Sequence, residues 1–320
     1  MNFIFRTDLH VADKGPESWK GDYVEEVFSI ISQVGELAKQ HQAIAVLDGG
    51  DFIHVKAPSR NSHGLIARVA EAHQQYPCPT WSIEGNHDIT NNRLDSLSRQ
   101  PLGVLYATNV FRHLRNQVFE QDGVRVRVVG FPFSPTRSLK DFLECQKQEG
   151  DDYLIAVVHA LAGKNPPSHV EDFMGEPVFR YEEMATPNGP DVFLFGHWHT
   201  DQGIDQVGDK WFVNQGACSR GALVRENLTR QPKAALIQAD KSGIKVTSQP
   251  LTVIPAEDAF DLERKTRFDE ESAAINSFAQ ELLAQVEAEP SDDVFGVVRK
   301  LNFATEVTHI ALEYLEAARG

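Results

Sequence analysis

The sequence predicts an α/β protein followed by a mostly helical C-terminal extension, and three observations support this. Over roughly the first two hundred residues, short β-branched or aromatic runs alternate with stretches of helical periodicity. Most of those runs end at Gly, Asp, Asn or His, where a strand gives way to a polar loop. From about Asp258 the pattern becomes charge-rich and helical, with no further polar strand ends.

In chain order, the first strand is "NFIFRTD", and a helix follows in "YVEEVFSIISQVGELAKQH". Val24, Val27, Phe28, Ile31, Val34 and Leu37 fall on one stripe of that helix. The second strand is "AIAVLDGGD"; the helix after it, "SRNSHGLIARVAEAHQQY", aligns Leu65, Ile66, Val69 and Ala72. "CPTWSIEGN", "VRVRVVGFPF", "YLIAVVHA", "PDVFLFGH" and "KWFVNQGAC" supply further strands, and the segment from Val224 to Pro255 reads as a β-meander. The boundary is placed at Pro255, giving a domain over 1–255 and a helical extension over 256–320. One apolar edge of the extension runs through Ile275, Phe278, Leu282 and Val286, then Val307, Ile310 and Tyr314. Such an edge suits either a cap on its own domain or a groove on a partner.

Composition bounds the function. A chain of 320 residues with 41% hydrophobic residues can bury one large core plus an appendage. No run approaches the roughly 18–20 apolar residues of a membrane span, and "MNFIFRTDLH" enters a strand at once, so no membrane role and no export are expected. Cys78, Cys145 and Cys218 are odd in number and scattered, which favours ordinary buried or half-buried thiols over disulfides or a thiolate metal site. The net charge of −15 argues only weakly against nucleic acid, because nine of those charges fall from Glu257 onward.

The candidate chemistry lies at the strand ends. Asp8 and His10 close the first strand, Asp51 the second, Asn86 and His87 the third, His159 closes "LIAVVHA", and His197 and His199 close "VFLFGHWH". Sites in open α/β sheets form outside the carboxyl ends of the strands, so these scattered residues can converge on one crevice. His197 and His199, two apart on an extended segment, project to the same side. Each element alone is compatible with a capped strand end or exposed histidines; five of them in order are not. Carboxylate, imidazole and amide donors without thiolate favour a borderline-hard divalent ion, manganese ahead of iron or zinc.

Asp8-Leu9-His10, Gly50-Asp51, Gly85-Asn86-His87-Asp88, His159 and Gly196-His197-Trp198-His199 together resemble the ordered signature of the calcineurin-like metallophosphoesterases. The resemblance implies a four-layer αββα sandwich. It also implies two divalent ions, one held by Asp8, His10, Asp51 and His199 and the other by Asp51, Asn86, His159 and His197, with Asp51 bridging. Such a pair activates a water for attack on a phosphodiester. His87 would then stabilise charge or protonate the leaving oxygen, with Asp88 fixing its ring.

"GDFIHVKAPS", with His54 three residues after Asp51, and "IEGNHD" are similar to the Mre11/SbcD nuclease branch, and the opening "TDLHVADKGPESWKGDY" to its phage members. That resemblance, convincing over about residues 1–225, implies a DNA nuclease acting in repair or recombination, with His54 also touching the diester. It further implies an SMC-like ATPase partner of SbcC/Rad50 type, a homodimer built on helices near "NSHGLIARVAEAHQQY" and "NNRLDSLSRQPLGVLY", and a cytoplasmic setting in a bacterial cell or phage-infected host. Lys56, Arg60, Arg93, Arg137 and Arg220 stand near strand ends and can either hold a phosphate chain or simply stay solvated. The alternatives share every ligand: a phosphodiesterase or phosphatase for a small nucleotide or phosphoprotein, and a catalytically weak metal-containing binding subunit.

Overall fold

The computed structural model describes residues 1–16, 18–221 and 224–261, together with Glu263, Thr266, Arg267 and Val298. The chain divides into two units, Met1–Ala259 and Phe260–Gly320. The helical periodicity read from Asp258 to Glu289 and from Ser291 onward lies almost entirely outside the described residues.

Within the first unit, β1 (Asn2–Arg6), β2 (Ala45–Asp48), β3 (Thr80–Ser82) and β4 (Phe111–His113) run parallel side by side. The hairpin of β13 (Lys233–Asp240) and β14 (Gly243–Pro250) extends this sheet antiparallel beyond β1, giving six strands. In a second six-stranded sheet, β6 (Val124–Phe131), β7 (Tyr153–His159), β10 (Val192–Gly196) and β12 (Lys210–Asn214) are parallel neighbours. Antiparallel β5 (Asn116–Gln121) and β11 (Gly203–Val207) edge it on either side.

Period-two alternation divides the strands' side chains between two cores. Phe3, Phe5, Ala45 and Leu47 of the first sheet, with Ile83 just past β3, meet Val126, Val128, Ile155, Val157, Val192 and Leu194 of the second, forming the central layer. The intervening residues Ala156, Val158, Phe193 and Phe195 face outward and bury against Phe142, Phe179, Tyr181 and Met184. Those partners belong to β9 (Val178–Arg180) and to the short helices α4 (Leu139–Leu143) and α6 (Tyr181–Met184). On the other side, α1 (Tyr23–Gln40) lies against β1, α2 (His63–Gln74) against α1, and α3 (Pro101–Ala107) against β4. Helices, sheet, sheet and helices are thus the four layers of an αββα sandwich.

The helix starts follow from their sequences. Asp22 accepts the Glu25 amide at 3.0 Å to cap α1, and Ser62 accepts the Leu65 amide at 3.0 Å to cap α2. On α1 the apolar stripe is wider than expected: Ile30 and Ala38 are buried with Val27, Phe28, Ile31 and Val34, while Val24 and Leu37 are half-buried. The meander assignment needs one correction: "RENL" forms a 3-10 turn over Arg225–Leu228, and only β13 and β14 beyond it are strands. Cys78 and Cys145 are half-buried and Cys218 is buried, and burial pushes all three thiols up to about 11. Among the described residues, no helix is long and apolar enough to cross a membrane.

Candidate metal centre

Parallel pairing brings the strand ends together. β2 lies beside both β1 and β3, so the loops carrying Asp8 and His10, Asp51, and Asn86 and His87 leave from one sheet edge. In the second sheet Gly196 pairs directly with His159, which sets His197 next to the His159 ring, centroids 4.9 Å apart. The turns needed to aim these side chains are tight. Asp8, His10, Asp51 and His197 all hold positive φ, at 53°, 49°, 51° and 88°. Amides lock them in place: Asp8 N donates to Gly50 O and His10 N to Asp51 O, both at 3.0 Å.

The donors then fall into groups around one carboxylate. Asp8, His10, Asp51 and His199 place ligand-type atoms within 4.8 Å of one another, and so do Asp51, His159 and His197. Asp51 is common to both: its Oδ2 stands 3.8 Å from His10 Nε2 and its Oδ1 3.5 Å from His159 Nε2. Asn86 joins the second group, its Oδ1 3.3 Å from His159 Nε2. His159 Nδ1 lies 2.7 Å from the Gly49 carbonyl and can only donate to it, which leaves Nε2 for a cation. A third cluster, His10, His54 and His87, adjoins the first.

The charge states also suit a cation. Burial pushes the Asp51 carboxyl up, but the charges of His159, His10 and His87 outweigh it and hold its pKa well below the usual range. Asp8 is likewise held low, its burial outweighed by the His199 hydrogen bond and nearby imidazole charge. Burial would depress His159, yet Asp51 raises it to about 9. Burial and then His199 push His10 well below its ordinary value. Two ionised carboxylates beside the neutral His10 ring suit a hard to borderline divalent ion, which on binding would displace the protons that the same carboxylates favour on His159 and His199.

The sequence matches the calcineurin-like phosphoesterase family over residues 1–201. The chain belongs to the calcineurin-like phosphoesterases. This phosphoesterase is also 20% identical over 202 residues to the DNA double-strand break repair protein Mre11 of Saccharolobus solfataricus, a match covering 60% of this chain. The match spans about half of that relative, 49% of its length. Solved structures similar at 13% identity include an archaeal phosphodiesterase, with a TM-score of 0.36, 78% of this chain and 99% of that one covered. Another, also at 13%, is the purple acid phosphatase PPD1 from yellow lupin (Lupinus luteus), with a TM-score of 0.48 and coverage of 80% and 52%.

In this phosphoesterase the two groups and the adjoining Asn86 bring together the residues read from the sequence as candidate ligands, but the roles read for two other residues need correction. Asp88 does not orient the His87 ring. Its carboxylate accepts the amides of Ile53, Gly85 and Phe52, at 2.9, 2.9 and 3.3 Å, so it pins the Asp51 loop to the Asn86 loop. The His87 ring is held instead by the His54 carbonyl, 2.7 Å from Nδ1, and stacks on the His54 ring with centroids 5.4 Å apart. Arg220, read as a possible phosphate contact, is buried and bonded to Glu26 and to the Ile254 carbonyl, both at 2.7 Å, and cannot reach a substrate. Sequence reasoning missed Glu176 altogether; its Oε2 stands 2.7 Å from His197 Nε2.

Two clefts flank the cluster. One, of about 740 Å³, is floored by Asp51, Asn86, His87, His197 and His199. The other, also about 740 Å³, is lined by His54 together with Lys14, Lys56 and Arg60, and by Asp13, whose carboxylate accepts from Ser62.

Proposed function

We propose that this phosphoesterase is a metal-dependent DNA nuclease of Mre11 type. The match to Mre11 favours a nuclease, and the observation that carries the two-ion chemistry is that one buried carboxylate, Asp51, belongs to both ligand groups. Asp8, His10, Asp51 and His199 would hold one ion, and Asp51, Asn86, His159 and His197 the other. Bound there, two divalent ions, best matched by Mn2+, would supply Lewis acidity and lower the pKa of an attacking water.

The remaining work falls to side chains of the chain itself. Because the His54 carbonyl can only accept, the proton of neutral His87 sits on Nδ1, and Nε2 is the atom that gains and gives a proton. From the cleft wall His87 can therefore protonate the departing oxygen. His54, stacked beside it, is held toward the neutral form by burial and then by the His87 charge, and serves as a hydrogen-bonding contact to the diester. Lys14, Lys56 and Arg60 have no acidic partner among the described residues, and their cleft continues from His54. A cationic cleft there favours a chain of phosphates over a single small one.

By the same reading, a partner ATPase of SMC type docks on the segment over 256–320, and the protein pairs with a second copy. Leu65 and Val69 are buried within their own chain, so pairing would use the other predicted stretch, where Leu94 and Val104 are 40% and 48% exposed. Sedimentation at micromolar concentration tests that pairing.

The deciding experiment is Mn2+-dependent cleavage of labelled linear, hairpin and single-stranded DNA beside bis-p-nitrophenyl phosphate and a cyclic nucleotide. DNA cleavage abolished by chelator supports the nuclease. Turnover of the small diesters with intact DNA would instead support a small-substrate phosphodiesterase, and binding of metal without any turnover a binding subunit.

A further inference from the structure

Glu176 belongs to none of the signature motifs, yet its carboxylate lies against a ligand of the proposed centre. Its Oε2 is 2.7 Å from His197 Nε2, and the two side chains are only 22% and 7% exposed. Among the described residues His197 is its one ion-pair partner, so the contact does not belong to a wider surface network.

The backbone delivers Glu176 to this place by a short route. β7 ends at His159, and two residues later β8 (Leu161–Gly163) begins. β8 pairs in parallel with β9, Leu161 opposite Val178, and Glu176 stands two residues before Val178. The helix α5 (His169–Met174) in between ends at Gly175, whose φ of 66° turns the chain back toward the sheet. A small two-stranded sheet thus spaces Glu176 from both His159 and His197.

We infer that Glu176 is a positioning residue for His197: it accepts the Nε2 proton and so leaves Nδ1 as the atom that binds the second ion. A carboxylate is acceptor-only and an imidazole has one proton to give, so the contact fixes the tautomer as well as the ring plane. A charged acceptor also makes the opposite nitrogen a stronger donor to a cation than a carbonyl would. His159, oriented by the Gly49 carbonyl, would be the weaker-field ligand of the same ion. This inference rests on the two-ion reading above.

The test measures metal rather than turnover. Chelator-stripped wild type, Glu176→Ala, Glu176→Gln, His197→Ala and the Glu176→Ala/His197→Ala double variant are titrated with Mn2+ by calorimetry, with bound metal counted by elemental analysis. The expected result is two ions on wild type and a second-ion affinity about 10–100-fold weaker in Glu176→Ala. Glu176→Gln, whose amide oxygen still accepts, should lose less. In the His197→Ala background, removing Glu176 should have no further effect, and the metal-free melting temperature should match wild type. If wild type takes up two ions and Glu176→Ala binds both as tightly, or if the loss persists without His197, the inference is wrong. A wild type that takes up no second ion would overturn the two-ion reading, and the positioning role with it.

Discussion

The Gly85→Ala substitution tests how tightly the centre is built. A Cβ at Gly85 would stand 2.0 Å from Asp51 Oδ1, 2.3 Å from the Asp51 amide nitrogen and 2.6 Å from its Cγ. Ordinary contact begins at 3.4 Å, so the shortfall at the Asp51 amide nitrogen is about 1.1 Å, and because that atom is backbone, a loop must retreat by this much and a rotamer change cannot absorb it. The φ of Gly85 is not positive, so alanine meets no backbone penalty there and the effect is purely steric. A displacement near 1 Å at reacting groups costs on the order of 10²-fold in rate. Overpacking of this kind costs about 1–3 kcal/mol of stability, or several degrees in melting temperature. The assay is Mn2+-dependent hydrolysis of bis-p-nitrophenyl phosphate with a count of bound ions; at least a hundredfold lower kcat and fewer than two ions are expected from a protein that still melts cooperatively. Gly64→Ala is the control, since its Cβ would meet only Ser62 Oγ at 3.7 Å, and it should leave the rate unchanged. Two ions and a rate within about twofold of wild type in Gly85→Ala would show that Asp51 does not need the position seen here.

Asp51→Asn should abolish turnover and reduce bound metal well below two per chain; near-normal rate with two ions would remove the bridging role. His87→Ala should keep its metal while losing about 10²-fold or more in rate, and loss of metal would make His87 a ligand instead. His73 belongs to none of the ligand groups but is titratable: burial, then the Arg6 guanidinium 2.7 Å from its Nε2, keeps its pKa well below 6.5. The neutral ring is therefore favoured on folding, and the stability it gives is complete above about pH 6.5. That stability is lost as pH falls toward the folded-state pKa, by at most ~1.4 kcal/mol per unit. Urea unfolding between pH 7.5 and 5 should show a slope that His73→Gln flattens; an unchanged slope would place the titration elsewhere.

Asp8, His10, Asp51, Asn86, His159, His197 and His199 were legible because each follows a hydrophobic run that ends at the carboxyl edge of adjacent parallel strands, the first four in one sheet and the last three in the other. The role of Asp88 was not, since adjacency to His87 says nothing about which way neighbouring turn residues point, and three amides claimed its carboxylate. Arg220 follows "NQGACS" and reads as a substrate contact until Glu26, buried on α1 and 194 positions earlier, is found beside it. Glu176 sits in "GKNPPSHVEDFMGEPVF", which has no period and no motif, and only tertiary pairing of β8 with β9 reveals its partner. The strands β4 and β5 escaped notice for another reason. "FRH" is three residues long and "NQVFEQ" is half-exposed at an edge, so neither leaves a strong alternation.

The left-handed backbone at Asp8, His10, Asp51 and His197 has a consequence for selection. Each such residue costs on the order of 1–3 kcal/mol relative to a relaxed conformation, and glycine at the same place would relieve most of it. At Asp8 and Asp51 that relief is opposed, because their carboxylates accept the His197 and His87 amides, at 3.1 and 2.7 Å, which glycine would leave unpaired. A library of this protein sorted by thermal tolerance alone should therefore reach glycine first at His10 and His197, whereas one sorted by turnover should keep all four side chains and gather its stabilising changes in the two sheets' shared core instead.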